Sequence, residues 1–264
     1  MTVIISAQMS GTATEPPVLL IHELGGSHRA FRWFVDYLKD RRTIAIDLPG
    51  SGASPALPRD SSLIDYAETI ADWLCREVTR PVVIVGIAFG AAVGTIMAVR
   101  RPEVVAGVVY CCMGATIEPH TTRFLEERCA RVLRDGIAPT VDASLNISFP
   151  AVVRRGREQV FEEYRRDLSN ARVDGYVNQS LALAHSGSTI GDYLQKVLVP
   201  VTVVVGEHDG HFNTDVMGKI GALAPRLQDV VMIKDAAHLP HVQAPAHLAG
   251  VVRAFVDRVH GGTV

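Results

Sequence analysis

The chain has 264 residues, 48% of them apolar, enough to bury one large core as a single α/β catalytic domain with an insertion. Its 26 basic and 28 acidic residues leave a net charge of -2, and no Lys/Arg run follows a phosphate backbone, which argues against nucleic acid as a partner. The opening stretch, residues 1–10, has no basic flank before its short apolar run and so predicts a cytoplasmic protein rather than a secreted one.

In chain order, continuous apolar runs at 18–21, 43–46, 82–87, 104–110, 201–205 and 230–233 predict strands buried on both faces of a parallel sheet. Helical patterns lie between them at 31–38, at 63–74 behind Ser61-Ser62 with Ile64, Ala67, Ile70 and Ala71 on one face, and at 248–259. Residues 81–99 are uncharged and about as long as the roughly 20 residues that span a bilayer. Gly86 and Gly90 break that run, however, so it reads as strand, sharp turn and buried helix, and no membrane association is expected. The alternation of strand and helix predicts a mostly parallel, doubly wound α/β sheet. It breaks over residues 118–195, which are rich in Arg and Glu and carry helical periodicity only. The expected layout is therefore a core of residues 1–117 and 196–264 with a helical lid at 118–195, placed over the carboxyl ends of the strands. Cys75, Cys111, Cys112 and Cys129 have no metal-ligand spacing and are expected to be buried apolar thiols.

Chemistry concentrates at strand ends. Gly86-Ile87-Ala88-Phe89-Gly90 lies between a buried strand and a buried helix, where a strained turn would lift its central residue into a pocket. His22-Glu23-Leu24-Gly25-Gly26 follows the first strand. With the elbow it offers two backbone N–H groups, those of Leu24 and Phe89, for an oxyanion hole. Asp47 to Ser54 reads as a turn beside the pocket. Asp209, after the strand at 201–205, suits a buried acid, with Glu207, Asp215 and Asp235 as rivals expected to be exposed. His238 follows the last strand and suits the base. The order of nucleophile position, acid and histidine is that of a hydrolase triad.

These segments together resemble the α/β-hydrolase superfamily over nearly the whole chain. Within it, Gly114-Ala115-Thr116-Ile117, the segment through Asp135-Gly136, Gly175-Tyr176 and Ala182-Leu183-Ala184 are similar to 3-oxoadipate enol-lactonases. The resemblance implies hydrolysis of a small lactone or carboxylic ester by serine, aspartate and histidine, with no metal or organic cofactor. A carboxylate on such a substrate would need a cation or several donors in the lid, and Arg154, Arg155, Tyr176 and His185 are the candidates, with Arg123 and Asn178 beside them. The chain departs from the pattern in three places. The usual His-Gly of the oxyanion loop is His22-Glu23, Ile147-Ser148-Phe149 stands where the lid carries an aromatic pair, and Ala88 occupies the nucleophile position. Two readings of Ala88 stay open: a serine hydrolase disabled by substitution at one atom, or a natural protein that uses the scaffold without covalent catalysis. In the second, it would be a ligand receptor, or a lyase or cofactor-free enzyme with His238 as proton acceptor and Cys111, Cys112 or Ser186 as a compensating group.

Overall fold

The computed structural model describes residues 4–11, 16–212 and 214–262. Met1, Thr2 and Val3 of the opening stretch, and the side chain of the rival acid Asp215, lie outside the described residues.

Seven strands form one sheet in the order β1-β3-β2-β4-β5-β6-β7. They are β1 (Ala7–Ser10), β2 (Val18–Ile21), β3 (Thr43–Ile46), β4 (Val82–Ile87), β5 (Val105–Cys111), β6 (Val201–Gly206) and β7 (Leu227–Ile233). All neighbours are parallel except β1 and β3. Alternate residues of the inner strands feed two cores. Leu19, Ile21 and Ile84 face one side of the sheet, and Val18, Leu20, Val83 and Val85 face the other.

The helices are α1 (Arg32–Val35), α2 (Leu63–Glu77), α3 (Phe89–Arg100), α4 (Pro119–Asp135), α5 (Ala138–Ser148), α6 (Ala151–Arg154), α7 (Glu158–Ser169), α8 (Val173–Ala184), α9 (Thr189–Leu194), α10 (Thr214–Leu223), α11 (Pro240–Gln243) and α12 (Pro245–His260). Helices α2 and α3 pack into the first core, and α12 packs into the second through Leu248, Val252 and Phe255. Helix α2 starts on a reciprocal cap in which Ser62 and Asp65 bond each other's backbone N–H. Among the described residues, no helix is long and apolar enough to cross a membrane.

Helices α4 to α9 form an insert between β5 and β6, with an apolar cluster that includes Val132, Leu145, Phe149, Phe161 and Val177 and continues into Ala30, Leu239 and Val242 of the core. The insert is seated on the core by polar contacts from α8. Gln179 Nε2 donates to the Pro49 carbonyl at 3.1 Å and to Ser51 Oγ at 2.9 Å, while Asn178 Nδ2 donates to the Leu57 carbonyl at 3.0 Å.

Four sequence expectations need correction. Strand β1 was not expected, because an edge strand reading Ala-Gln-Met-Ser has no apolar run. Strand β7 begins at Leu227 rather than at 230, since it too lies at the edge and exposes Asp229 and Val230. The 31–38 helix is a four-residue α-turn between two 3₁₀ turns. Cys75 is exposed, whereas Cys111, Cys112 and Cys129 are buried, and all four are free thiols.

Helix α3 is buried on all sides because it crosses β4 and β2 at close range. A Cβ on Gly90 would lie 2.2 Å from the Ile21 carbonyl oxygen, a backbone atom that cannot step aside. Gly250 in α12 has nothing within 4 Å of such a Cβ. Gly90→Ala is therefore expected to cost about 2 kcal/mol or more and to lower the thermal midpoint by about 4–8 °C. Gly250→Ala should instead stabilise by up to about 1 kcal/mol. Thermal melts of the two variants check the contrast in sign.

Candidate active site

Parallel register brings the chemistry-bearing residues to one edge. Ile21 pairs with Gly86, Ile87 with Cys111, and Gly206 with Ile233. The segments that follow β2, β4, β5, β6 and β7 therefore emerge side by side at the carboxyl end of the sheet, next to the strand-order reversal at β2 and β4. A cavity of about 620 Å³ opens there between core and insert, lined by Leu24, Ala88, Phe89, Cys112, His238 and residues of α4, α5, α7 and α8.

Ala88 sits at φ 47° and ψ -109°, a backbone conformation that an L residue adopts only when its surroundings impose it. Its own N–H donates to the Cys111 carbonyl at 2.8 Å, and its carbonyl accepts from Ala91 and Ala92. Phe89 is the first residue of α3, so its N–H has no acceptor within the helix. Phe89 and Leu24 line the same cavity as Ala88.

Asp209 and His238 are brought together. His238 Nδ1 lies 3.0 Å from Asp209 Oδ2, and the Asp209 side chain is fully buried. Its other oxygen accepts the backbone N–H groups of His211 at 2.8 Å and Phe212 at 3.3 Å. Burial opposes the Asp209 charge, but His238 and these amides outweigh it and hold the carboxyl below its ordinary range. The Phe212 ring stacks on the imidazole at 5.7 Å. Burial, with His238 and Arg128 nearby, pulls His211 down to about 4. The rivals Glu207 and Asp235 are exposed, and Glu207 accepts the Asp235 N–H at 3.2 Å.

Sequence reasoning missed Gln243. Its Oε1 accepts from Ala237 N at 2.7 Å and Leu239 N at 3.2 Å, the amides on either side of His238, while its Nε2 donates to the Ser148 carbonyl of the insert at 2.8 Å. The available signal was a buried-type amide five residues beyond the histidine.

Glu23, in the loop after β2, is buried and engaged. Tyr164 of α7 donates its hydroxyl to Oε1 at 2.5 Å, and the fully buried His241 approaches Oε2 at 3.3 Å. Gly26 leaves room for this carboxylate, since a Cβ there would come within 2.3 Å of Glu23 Oε1. His22 is fixed by accepting the Leu48 N–H at Nε2 and donating from Nδ1 to the Glu23 carbonyl, and burial lowers its affinity for a proton. The turn after β3 is organised by Asp47, which accepts from the His28 and Ala53 backbones.

The lid candidates separate. Tyr176 lines the cavity. Arg154 and Arg155 do not: the Arg154 guanidinium stacks on the Phe161 ring at 3.8 Å, and Arg155, at the end of α6, is exposed. His185 is exposed and bonds Glu126 at 3.0 Å, facing a different cleft. Asn178 is spent on the core, and Arg123 does not line the cavity. Arg128 and Arg131 line it instead. Among the compensating groups, Cys111 is buried, Ser186 Oγ donates to the Leu183 carbonyl, and only Cys112 borders the cavity. Burial, then the neighbouring Asp209, raises the Cys112 thiol well above its ordinary range, which leaves it protonated and a poor nucleophile.

Cys112, Asp209 and His238 present donor atoms within 4.8 Å of one another, as do Glu207, His208 and Asp235. In the first set Asp209 and His238 already bond each other and the thiol keeps its proton, so its chemistry is that of a hydrogen-bonded cluster.

Residues 18–251 match the alpha/beta hydrolase family, and the chain belongs to that family. It is 23% identical to the (E)-2-((N-methylformamido)methylene)succinate hydrolase of Acinetobacter baylyi, over 91% of this chain and 90% of that one. Among solved structures it is similar to a malate-bound thermophilic esterase from Thermogutta terrifontis, with a TM-score of 0.90, 24% identity and coverage of 98% of this chain and 94% of that one. The enol-lactonase of Burkholderia xenovorans superposes with a TM-score of 0.88 at 18% identity, covering 97% of each chain. These structural likenesses establish the shared fold.

The Glu23 contacts carry a pH signature. Burial disfavours its charge, yet the His241 and His22 rings and the Tyr164 hydroxyl hold the carboxyl at about 2, below its ordinary 4.5. A carboxyl held down in the folded state stabilises the fold above about pH 5, and that contribution is lost as pH falls towards the folded value. Glu23→Gln should therefore lower the thermal midpoint at pH 7 and flatten its decline between about pH 5 and pH 2, as melts across that range would reveal.

Proposed function

We propose that this chain is a serine-type hydrolase scaffold for a small carboxylic ester or lactone, carrying alanine in place of the nucleophilic serine. The observation that carries this reading is that His238, paired with the buried Asp209 at 3.0 Å, faces the same cavity as Ala88, which holds an elbow conformation at φ 47°. The esterase and enol-lactonase among its structural neighbours, and the succinate-derivative hydrolase among its relatives, support that class of bond.

In the serine form, the hydroxyl at position 88 attacks the acyl carbon as His238 takes its proton, and Asp209 stabilises the imidazolium. The Leu24 and Phe89 N–H groups receive the oxyanion, aided by the positive end of α3. His238 then protonates the leaving oxygen and activates the water that releases the acid. The insert serves as the lid. With Ala88 the acyl group has no nucleophile to meet, while the acid–base pair, the oxyanion donors and the cavity persist.

Ala88→Ser is expected to raise turnover of a small activated ester by at least about a thousandfold over the chain with alanine. In that background Asp209→Asn should lower turnover by roughly ten-thousandfold, and Asp235→Asn should change it little. A spectrophotometric ester assay on the folded variants decides the matter. A second reading is favoured by Cys112, the one of the three compensating candidates that borders the cavity, where its protonated thiol stands beside Asp209 and His238. In it, His238 takes a proton from a bound ligand without covalent catalysis, and a folded Ala88→Ser variant gains no esterase activity.

A further inference from the structure

The cavity above Ala88 is walled mainly by apolar side chains such as Ile117, Leu125, Ile137, Val141 and Leu183, yet four formal charges border it: Glu23, Asp135, Arg128 and Arg131. Both acids have partners. Glu23 is held by Tyr164 and His241, and Asp135 makes an ion pair with Arg134 at 2.8 Å. Glu126, also on α4, is engaged by His185. The two arginines make no ion pair with any of the described residues. They lie three positions apart on α4, and so on one face of that helix, turned towards the cavity.

Arg128 is the better placed of the two. Its guanidinium carbon lies 5.5 Å from the centroid of Phe124 and 5.5 Å from that of Tyr176, so two rings hold it in position. Its Nε is buried without a hydrogen-bond partner among the described residues. Its charge is also felt across the cavity, where it helps keep His211 unprotonated, and the His211 ring stands 4.7 Å from that of His238. An arginine kept without a counter-ion at the edge of an apolar chamber is a standing site for an anion, because each N–H that loses water there gains most from a charged acceptor.

We propose that Arg128, supported by Arg131, is the specificity-determining subsite of this cavity, and that the ligand is an ester or lactone bearing a free carboxylate at the end remote from the bond over Ala88. This rests on the ester-site reading and adds to it the charge and polarity of the substrate. The carboxylate docks on Arg128 and the ester carbonyl lies towards Leu24 and Phe89. The arginines expected from sequence for this task, Arg154 and Arg155, take no part in it.

Calorimetric titration of the full chain, with Ala88 in place, would use monomethyl glutarate as the anionic probe and dimethyl glutarate as its neutral match. The monoester is expected to bind at least about tenfold more tightly than the diester. Arg128→Met keeps an unbranched chain between the two rings and removes the charge. It should weaken the monoester by about tenfold or more and the diester by less than about twofold, and Arg128→Lys should restore part of the difference. Thermal melts confirm that the variants are folded. Equal affinity for the two probes, or equal loss of both in Arg128→Met, overturns the anion subsite while leaving the ester site intact. If neither probe binds the folded chain, the subsite and the ester-site reading fail together. Esterase activity in Ala88→Ser with no preference for the monoester would sink the subsite alone.

Discussion

The arrangement depends on one steric constraint: a buried strand and a buried helix meet through a single residue. Helix α3 leaves β4 at Ala88 and runs back across β4 and β2 at a separation that side chains at 86 and 90 would not allow. This crossing forces Ala88 into positive φ and aims its methyl group at the cavity. It also leaves the first amide of α3 outside the helical hydrogen-bond ladder, beside the loop that follows β2. The geometry comes from backbone packing and does not depend on the side chain at position 88. The turn at residue 88 can therefore keep its shape whichever small side chain it carries.

A second layer of organisation lies behind the groups that face the cavity. Glu23, Tyr164 and His241 join the loop after β2, helix α7 of the insert and the helix after His238. Buried charge of this kind costs desolvation, and its partners offset that cost only while all three elements stay in place. Gln243 does the same for the neutral backbone, holding the amides on either side of His238. The position of the histidine is thus set by packing and hydrogen bonds that reach well beyond Asp209.

How far the sequence could be read follows from where each signal originates. Strands β2 to β6 were legible because both of their faces are buried, which leaves an unbroken apolar run. Strands β1 and β7 lie at the edges, where that signal disappears. Asp209 and His238 could be placed because each follows a strand, and a strand end has a fixed level in a parallel sheet. The insert offers no such reference. Its helices are amphipathic, so periodicity identifies a buried face without saying whether that face meets the insert's own core or the cavity. Arg154 follows an apolar stripe and ends on Phe161, while Arg128, on the longer and more heavily charged α4, faces the chamber. Glu23 was visible as a departure from the usual loop, but its partners lie more than a hundred residues away and no local pattern announces them.

The Gln243 side chain has a further consequence. One amide group grips the backbone on either side of His238 with its oxygen and the carbonyl of Ser148 in the insert with its nitrogen. The two ends of this amide are rigidly joined, so a shift of the insert at residue 148 strains the grip around residue 238. The insert and the loop that carries His238 are thus geared together: a single side chain spans both, and any displacement of residue 148 is passed to the backbone on either side of the imidazole.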